Sequence, residues 1–464
     1  MGCGGAWLES AAVADFSELS IRGRIATSSD SDWDEARQAW NLAADQRPEA
    51  VALVESADDV SKVIRFAREN GLKVAGQGTG HGAMALGSLD GVILVKTERM
   101  RDVAIEGEKA RAEAGALAED VAEAASAQGM CSMPGTSPNV GVAGYTLGGG
   151  LSWFGRKYGW ACNRVNALEV VTADGEPRTV NAASDPDLFW ALRGGGGGYA
   201  IVTALHVELL PINEVYAGSL LLPAELTHDA LHVYREWASR VPEEVGSMVR
   251  MMNLPPIPDV PEVIRGKKFL QISAAYIGSR EDGETAIGPL RKIGEPLMDT
   301  FEQIPAKGLV RIAMDPEPPV PGLGHHGVLN ELNDEAIDAF YETAGPESDS
   351  PLLLAELRHL GGALARPAEN GGALSKLDGE FVMLGIGMLM DPALMDPINA
   401  QLDGLADAMQ PWAAEGGYYN YAERPCDVDA ILPAETCERL AHVKRSWDPD
   451  DLIRANHSVA LATA

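Results

Sequence analysis

Five consecutive glycines, Gly194 to Gly198, join an aromatic stretch to an apolar one in DPDLFWALRGGGGGYAIVTALHVELLP, Asp185 to Pro211. Such a run favours neither helix nor strand, because each glycine loses more backbone freedom on ordering than any other residue. Two other glycine-rich segments precede it. VAGQGTGHG, Val74 to Gly82, has four glycines in nine residues; Pro134 to Gly175 has nine in forty-two, with no charged side chain from Gly135 to Gly148. Close approach of backbone to a flat or anionic ligand would offset that entropy, and three such segments imply one extended ligand between subdomains. The dinucleotide fingerprint is not the explanation. Read from Gly76 or Gly78, G-x-G-x-x-G lacks its last glycine, and a strand-like VILV follows where a long helix belongs. Taken alone, the first loop reads equally well as a tight turn holding a hydrogen-bonded His81.

The periodicity around these segments predicts a mixed α+β lobe. Residues 34 to 70 look helical and then α/β: EARQAWNLAADQRPEA contains Pro48, VALV can be a short strand, and ESADDVSKVIRFAREN puts Val60, Val63, Ile64 and Phe66 on an amphipathic helix ending at Asn70-Gly71. Strands are predicted at LKVAG, Val92 to Val95 and Lys109 to Glu113, then a helix from about Leu117 to Gln128. From about Asn213 to Leu405 the texture changes: strand-like KFLQISAAYIG, LLLAELRHLGG and EFVMLGIGMLM alternate with proline-rich and acidic helical pieces. A chain of 464 residues suits two large lobes.

Several functional classes are disfavoured. With 68 acidic against 37 basic residues the formal charge is −31, unsuited to nucleic acid or anionic membranes. No run of eighteen apolar residues occurs, and MGCGGAWLESAAVADF lacks the basic and apolar regions of a secretory leader, so a cytoplasmic location is expected. Cys3, Cys131, Cys162, Cys426 and Cys437 form no CxxC pattern. His228 and His232 have helical i, i+4 spacing, but HDALH lacks the glutamate of HExxH and no third ligand is evident; a helix-surface pair and no metal are expected. His325 and His326 are expected in a loop. No G-x-S-x-G nucleophile is present.

Taken together, the TGH loop, PNVGVAGYTLGGGLSWFGRKYG, DPDLFWALRGGGG, YYNY at Tyr418 to Tyr421 and KRSWDPDDLIRANHSV resemble the berberine bridge enzyme-like oxidoreductases. These belong to the class sharing the p-cresol methylhydroxylase/vanillyl-alcohol oxidase (PCMH/VAO) FAD-binding fold, and the resemblance runs from about Asp32 to Val459. It implies an α+β, two-lobe flavoprotein: an N-terminal segment 1–45, an FAD-binding domain 46–213, an antiparallel-sheet substrate domain 214–405 backed by helices, and a C-terminal segment 406–464 returning to the FAD lobe.

By the same resemblance, Gly76, Gln77, Gly78, Thr79, Gly80, His81 and Gly82 wrap the FAD pyrophosphate, and His81 is linked covalently to the flavin 8α carbon. Pro134, Gly135, Ser137, Val140, Gly141, Gly144 and Tyr145 are expected at the cofactor, with Gly148, Gly149, Gly150 and Ile201. Arg156 and Lys157 are either phosphate contacts or solvent-facing charges. Many relatives carry a second link from a cysteine at the position of Ser137. A hydroxyl lacks an accessible thiolate, and Cys131 lies six residues upstream, so one covalent bond is expected.

Tyr418 is implied as the substrate-facing acid or base, with Asn420 and Tyr421 supporting the cofactor; Tyr419 and Tyr421 are adjacent alternatives. Near neutral pH that role needs a lowered pKa, supplied by oxidised flavin and nearby donors. GGYYNYAERP is read as a strand. Glu356 and Arg358 share one strand face, where they orient a substrate or, more simply, pair with each other or a neighbouring strand. The implied reaction is oxidation of a small-molecule alcohol (a sugar, an aromatic alcohol or a natural-product intermediate), with dioxygen reduced to peroxide. The alternatives are a dehydrogenase with another electron acceptor and a non-catalytic flavin carrier.

Overall fold

The computed structural model describes residues 14–258 and 262–460; Cys3 and most of the stretch read for a leader lie outside them. Three sheets organise the chain. In the first, Ala50–Leu53, Val92–Lys96 and Lys73–Gln77 run parallel, with Arg24–Ala26 antiparallel at one edge and Ile453–Arg454 parallel at the other. The C-terminal segment therefore returns to the strand that leads into the TGH loop. The helix Ala57–Glu69 is capped by the Ser56 side chain and ends before Gly71, whose φ of 68° suits glycine. It buries Val60, Val63, Ile64 and Phe66 against this sheet. The helix predicted from residue 34 stops early, spanning only Trp33–Arg37. Beyond it Trp40 leaves the helical path, its N–H donating to the Thr79 carbonyl at 2.9 Å.

The second sheet is antiparallel, ordered Val103–Glu106, Lys109–Glu113, Ile201–Glu208, Val165–Val171, Pro177–Val180. KARAE forms the predicted strand. The third sheet has eight antiparallel strands drawn from residues 214–388. Thr227–Ala238, Arg280–Arg291, Asp334–Ala344 and Met395–Met409 back it, burying Leu231, Leu290, Phe340 and Leu402 in its largest core. The result is the expected two-lobe α+β architecture.

Two local expectations are overturned. The His325-His326 segment is a strand, Gly322–Leu329, paired with Phe381–Met388 along its whole length. Gly324 signals close packing rather than a turn: a Cβ there would lie 2.6 Å from Glu423 Oε2. GGYYNYAERP is no strand. Tyr419–Tyr421 form one 3-10 turn after an extended Tyr418, so Tyr418 and Tyr421 approach each other at 5.0 Å while Tyr419 packs into the FAD-side core beside His457. Three residues per turn sort the tyrosines differently from strand alternation.

Candidate active site

A cavity of about 450 Å³ opens where the three sheets meet. The TGH loop forms one wall, with Gly76, Gln77, Gly78, Thr79, Gly80, His81 and Gly82 all lining it. Pro134, Gly135, Ser137, Val140, Gly141, Gly144, Tyr145 and Gly148 line another, together with Ile201. A Cβ on Gly144 would meet no protein atom within 4 Å; the chain leaves that space open. Tyr418, Asn420 and Tyr421 complete the expected set.

Gly149 and Gly150 do not line the cavity, contrary to expectation. They have φ of 119° and 76°, and added Cβ atoms would strike Leu374 Cδ2 at 2.5 Å and Ala161 Cβ at 2.6 Å. Packing against protein demands these glycines. The same holds for much of the five-glycine run, where only Gly196 and Gly197 reach the cavity; a Cβ on Gly198 would lie 2.6 Å from that of Ala455. Arg156 is buried elsewhere, bonded to the carbonyls of Leu360, Pro242 and Val245, and Lys157 pairs with Glu244. Neither is at the cavity, so the phosphate-contact option fails. Cys131 packs in an apolar cluster, where burial pushes its thiol up to about 12.

His81 is held from two sides. Its ring stacks on Trp40 at 4.0 Å and 12°, and Nδ1 lies 2.7 Å from Thr79 Oγ1. Nε2 is buried without a partner. Burial pushes the imidazole down to about 4, opposed by the field of Asp315 and by the Asn139 side chain, so the ring is neutral near pH 7.

The Tyr418 hydroxyl is also fixed. It accepts the Leu151 N–H at 2.9 Å and the Asn420 amide at 3.1 Å, while the Tyr418 N–H donates to His326 Nε2 at 3.0 Å. Asn420 also donates to the Tyr145 carbonyl, tying Tyr418 to the glycine-rich helix. Burial raises the phenol to about 12 despite these donors and Arg358. The protein by itself does not lower this pKa, contrary to the requirement drawn from the sequence; the two donors oppose the rise without reversing it.

Across the cavity stands a charge network that sequence reasoning saw only in part. Glu356 and Arg358 pair on one strand face as anticipated, Nε to Oε1 at 2.9 Å. Arg250, directly opposite Glu356 in register, donates Nε to Oε2 at 2.6 Å and Nη1 to Asp315 at 2.6 Å. Asp315 accepts from Ser137 Oγ at 2.7 Å. Burial raises the Asp315 pKa, but Arg250 more than offsets this and holds the carboxyl below its ordinary value. Arg250, Asp315 and Arg358 line the cavity, and the Arg358 guanidinium lies 5.5 Å from the Tyr421 ring centre. Arg250 and Asp315 are separated by 65 positions, so no local pattern could have joined them.

Glu423 was also missed. It lines the cavity with Oε2 buried and unpartnered, and burial pushes its carboxyl from 4.5 up to about 7, opposed by the Gly324 backbone. The folded chain then keeps a proton that the unfolded chain releases, so this group's contribution to stability falls as pH rises from about 4.5 to 7. Glu423→Gln, neutral throughout, is expected to gain stability relative to wild type across that window and to show a flat difference outside it. Urea midpoints over a pH series measure this; a flat difference throughout would mean that folding leaves the pKa of this carboxyl unchanged.

Comparison with known proteins agrees with the geometry. The FAD binding domain family matches residues 48–181. (R)-6-hydroxynicotine oxidase of Paenarthrobacter nicotinovorans is 26% identical over 468 residues, covering 95% of this chain and 97% of that one. The solved structure of BBE-like 1 from Physcomitrella patens superposes with a TM-score of 0.84 at 19% identity, over 96% of this chain and 98% of that one. Glucooligosaccharide oxidase from Acremonium strictum, described with a 6-S-cysteinyl, 8α-N1-histidyl FAD, superposes at 0.77 with 21% identity, over 95% and 98% of the two chains. Among the described residues no helix is long and apolar enough to cross a membrane. With near-complete alignment in both directions and the glycine-lined cavity where a flavin domain requires it, the chain is an FAD-linked oxidoreductase similar to these proteins and has the two-lobe α+β fold of the PCMH/VAO class.

Proposed function

We propose that this enzyme is an oxidase that removes hydride from an alcohol-type C–H of a small molecule, with dioxygen as the final acceptor. The observation that carries this reading is a single cavity shared by a neutral histidine with a free nitrogen and a buried tyrosine hydroxyl fixed by two donors. The residues present fit FAD: the space in front of Gly144 is open, and the buried His81 Nε2 makes no hydrogen bond of good geometry. When bound, FAD supplies the hydride acceptor and the path of electrons to oxygen. The chain's own part is to bind, orient and move a proton. In this reading the 46–213 and 406–464 segments hold FAD, 214–405 covers the substrate, and Tyr418, having first lost its own proton with the help of Arg358 and the bound flavin, takes the alcohol proton at its phenolate oxygen. Asn420 and Leu151 hold that oxygen in place, and Tyr421 supports the cofactor.

The substrate sheet contributes Leu354, Leu384, Ile386 and Met388 to the cavity alongside Arg250 and Arg358, whose charges are committed to Glu356 and Asp315. Four apolar side chains beside charges already paired with one another favour an aromatic or otherwise apolar alcohol over a sugar. A panel of benzylic, allylic, secondary and sugar alcohols, added anaerobically and followed at flavin wavelengths before admission of air, tests the reading. Bleaching followed by fast recolouring with one peroxide per turnover supports it. Recolouring only with an added dye replaces the oxidase by a dehydrogenase, and no bleaching with any donor points to a carrier.

One covalent link, through His81, is expected. Ser137 occupies the position of the second link and its hydroxyl is already committed to Asp315. Intact mass should show one FAD retained after denaturation, and proteolysis should place it on the His81 peptide. Flavin released on denaturation, or found on Cys131, contradicts the assignment.

A further inference from the structure

Away from the cavity, the helices Thr227–Ala238 and Asp334–Ala344 bring together His228, His232 and Asp338. The sequence shows only the i, i+4 pair; the fold supplies a third donor. His228 Nε2 lies 2.8 Å from Asp338 Oδ1, and His232 Nε2 lies 3.6 Å from the same oxygen. One donor atom from each of the three residues falls within 4.8 Å of the others. Donors held at about 2.0–2.2 Å around a tetrahedral Zn²⁺ are separated by roughly 3.3 Å, so side-chain adjustment alone would close the set. We propose that these residues form a surface site for a divalent d-block cation, Zn²⁺ foremost, which clamps two helices behind the substrate sheet.

The surroundings suit ligation. A metal-bound imidazole commonly gives its other ring N–H to a carboxylate, which fixes the tautomer. His232 Nδ1 lies 3.4 Å from Asp334 Oδ1, and Arg235 in turn holds that carboxylate; His228 Nδ1 lies 3.9 Å from Asp229. Tyr341 packs edge-on against the His228 ring at 5.0 Å. Two imidazoles and one carboxylate favour Zn²⁺, Co²⁺, Ni²⁺ or Cu²⁺ over Mg²⁺ or Ca²⁺. Side-chain exposures of 42%, 29% and 51% leave an ion's remaining positions open to water. None of the three residues lines the cavity, so the clamp is structural and separate from the oxidation.

The simpler use of these groups is a His228–Asp338 hydrogen bond between helices, and Asp338→Asn separates the two. Asparagine still hydrogen-bonds an imidazole but is a poor Zn²⁺ ligand. Untagged holoprotein, stripped with EDTA and titrated with Zn²⁺ by calorimetry, should bind one ion per chain at roughly micromolar dissociation constant or tighter. Saturating Zn²⁺ should raise the thermal midpoint, reversibly with EDTA. His232→Ala and Asp338→Asn should each weaken binding at least about 10-fold and remove the Zn²⁺-dependent rise, while the flavin spectrum and turnover stay as in wild type. Absence of saturable binding up to about 1 mM Zn²⁺, or binding unchanged in both variants, overturns the proposal.

Discussion

Tyr418→Phe should retain the yellow holoenzyme and slow anaerobic flavin reduction about 100-fold or more, the usual range for loss of a positioned acid or base. The substitution removes one oxygen while keeping the ring that packs at 5.2 Å from Trp160 and 5.0 Å from Tyr421. It also leaves the buried Leu151 N–H and one Asn420 proton without their acceptor. An unsatisfied buried donor costs about 1–3 kcal/mol, so a lower thermal midpoint should accompany the kinetic defect. Reduction rates are therefore read well below that midpoint and by stopped flow, since turnover can be limited by product release. Tyr421→Phe serves as the comparison: it should act mainly through flavin placement and leave most of the reduction rate intact. If Tyr418→Phe reduces at the wild-type rate across a pH series while Tyr421→Phe collapses, the proton acceptor is another tyrosine of this turn.

Glu356→Gln should destabilise the protein by about 3–5 kcal/mol, the range for breaking a buried ion pair from one side. Glu356 is fully buried and receives both Arg250 and Arg358, whose side chains are 6% and 11% exposed. Two arginines and two carboxylates balance; without Glu356 only Asp315 faces two fixed positive charges. The urea midpoint reports the loss. Replacing Arg250 as well should recover part of it, because the double change removes a charge that the single change strands. Equal stability of Glu356→Gln and wild type would mean that water, not Glu356, compensates the arginines.

Periodic and compositional signals were legible where the chain's own neighbours determine structure. The amphipathic helix Ala57–Glu69 and the strands Lys109–Glu113 and Leu352–His359 follow from spacing of 3.6 or 2, and the strands Lys268–Tyr276 and Phe381–Met388 from their apolar composition. The TGH loop, the Pro134–Gly148 segment and the flavin assignment were legible as well, because backbone held against a cofactor leaves a glycine signature that no ordinary helix or strand needs. The same signature overreached at Gly149, Gly150 and much of the five-glycine run. A glycine required by a protein neighbour and one required by a ligand look alike until the neighbour is placed.

The sequence by itself determined the two-lobe fold and the cofactor class, and through its resemblance to a known family it proposed His81 and Tyr418 as the side chains of the chemistry. Only the tertiary structure decided what surrounds them. The helix predicted from residue 34 was cut short where Trp40 meets the TGH loop; His326 became a strand residue receiving the Tyr418 N–H; Arg250 and Asp315 joined Glu356 and Arg358 across the sheet; and Asp338 met a histidine pair from another helix. Each is a contact between residues far apart in the chain. Local preferences amount to fractions of a kcal/mol per residue, whereas a buried charge or polar group left unpaired costs several, so long-range pairing sets the final geometry.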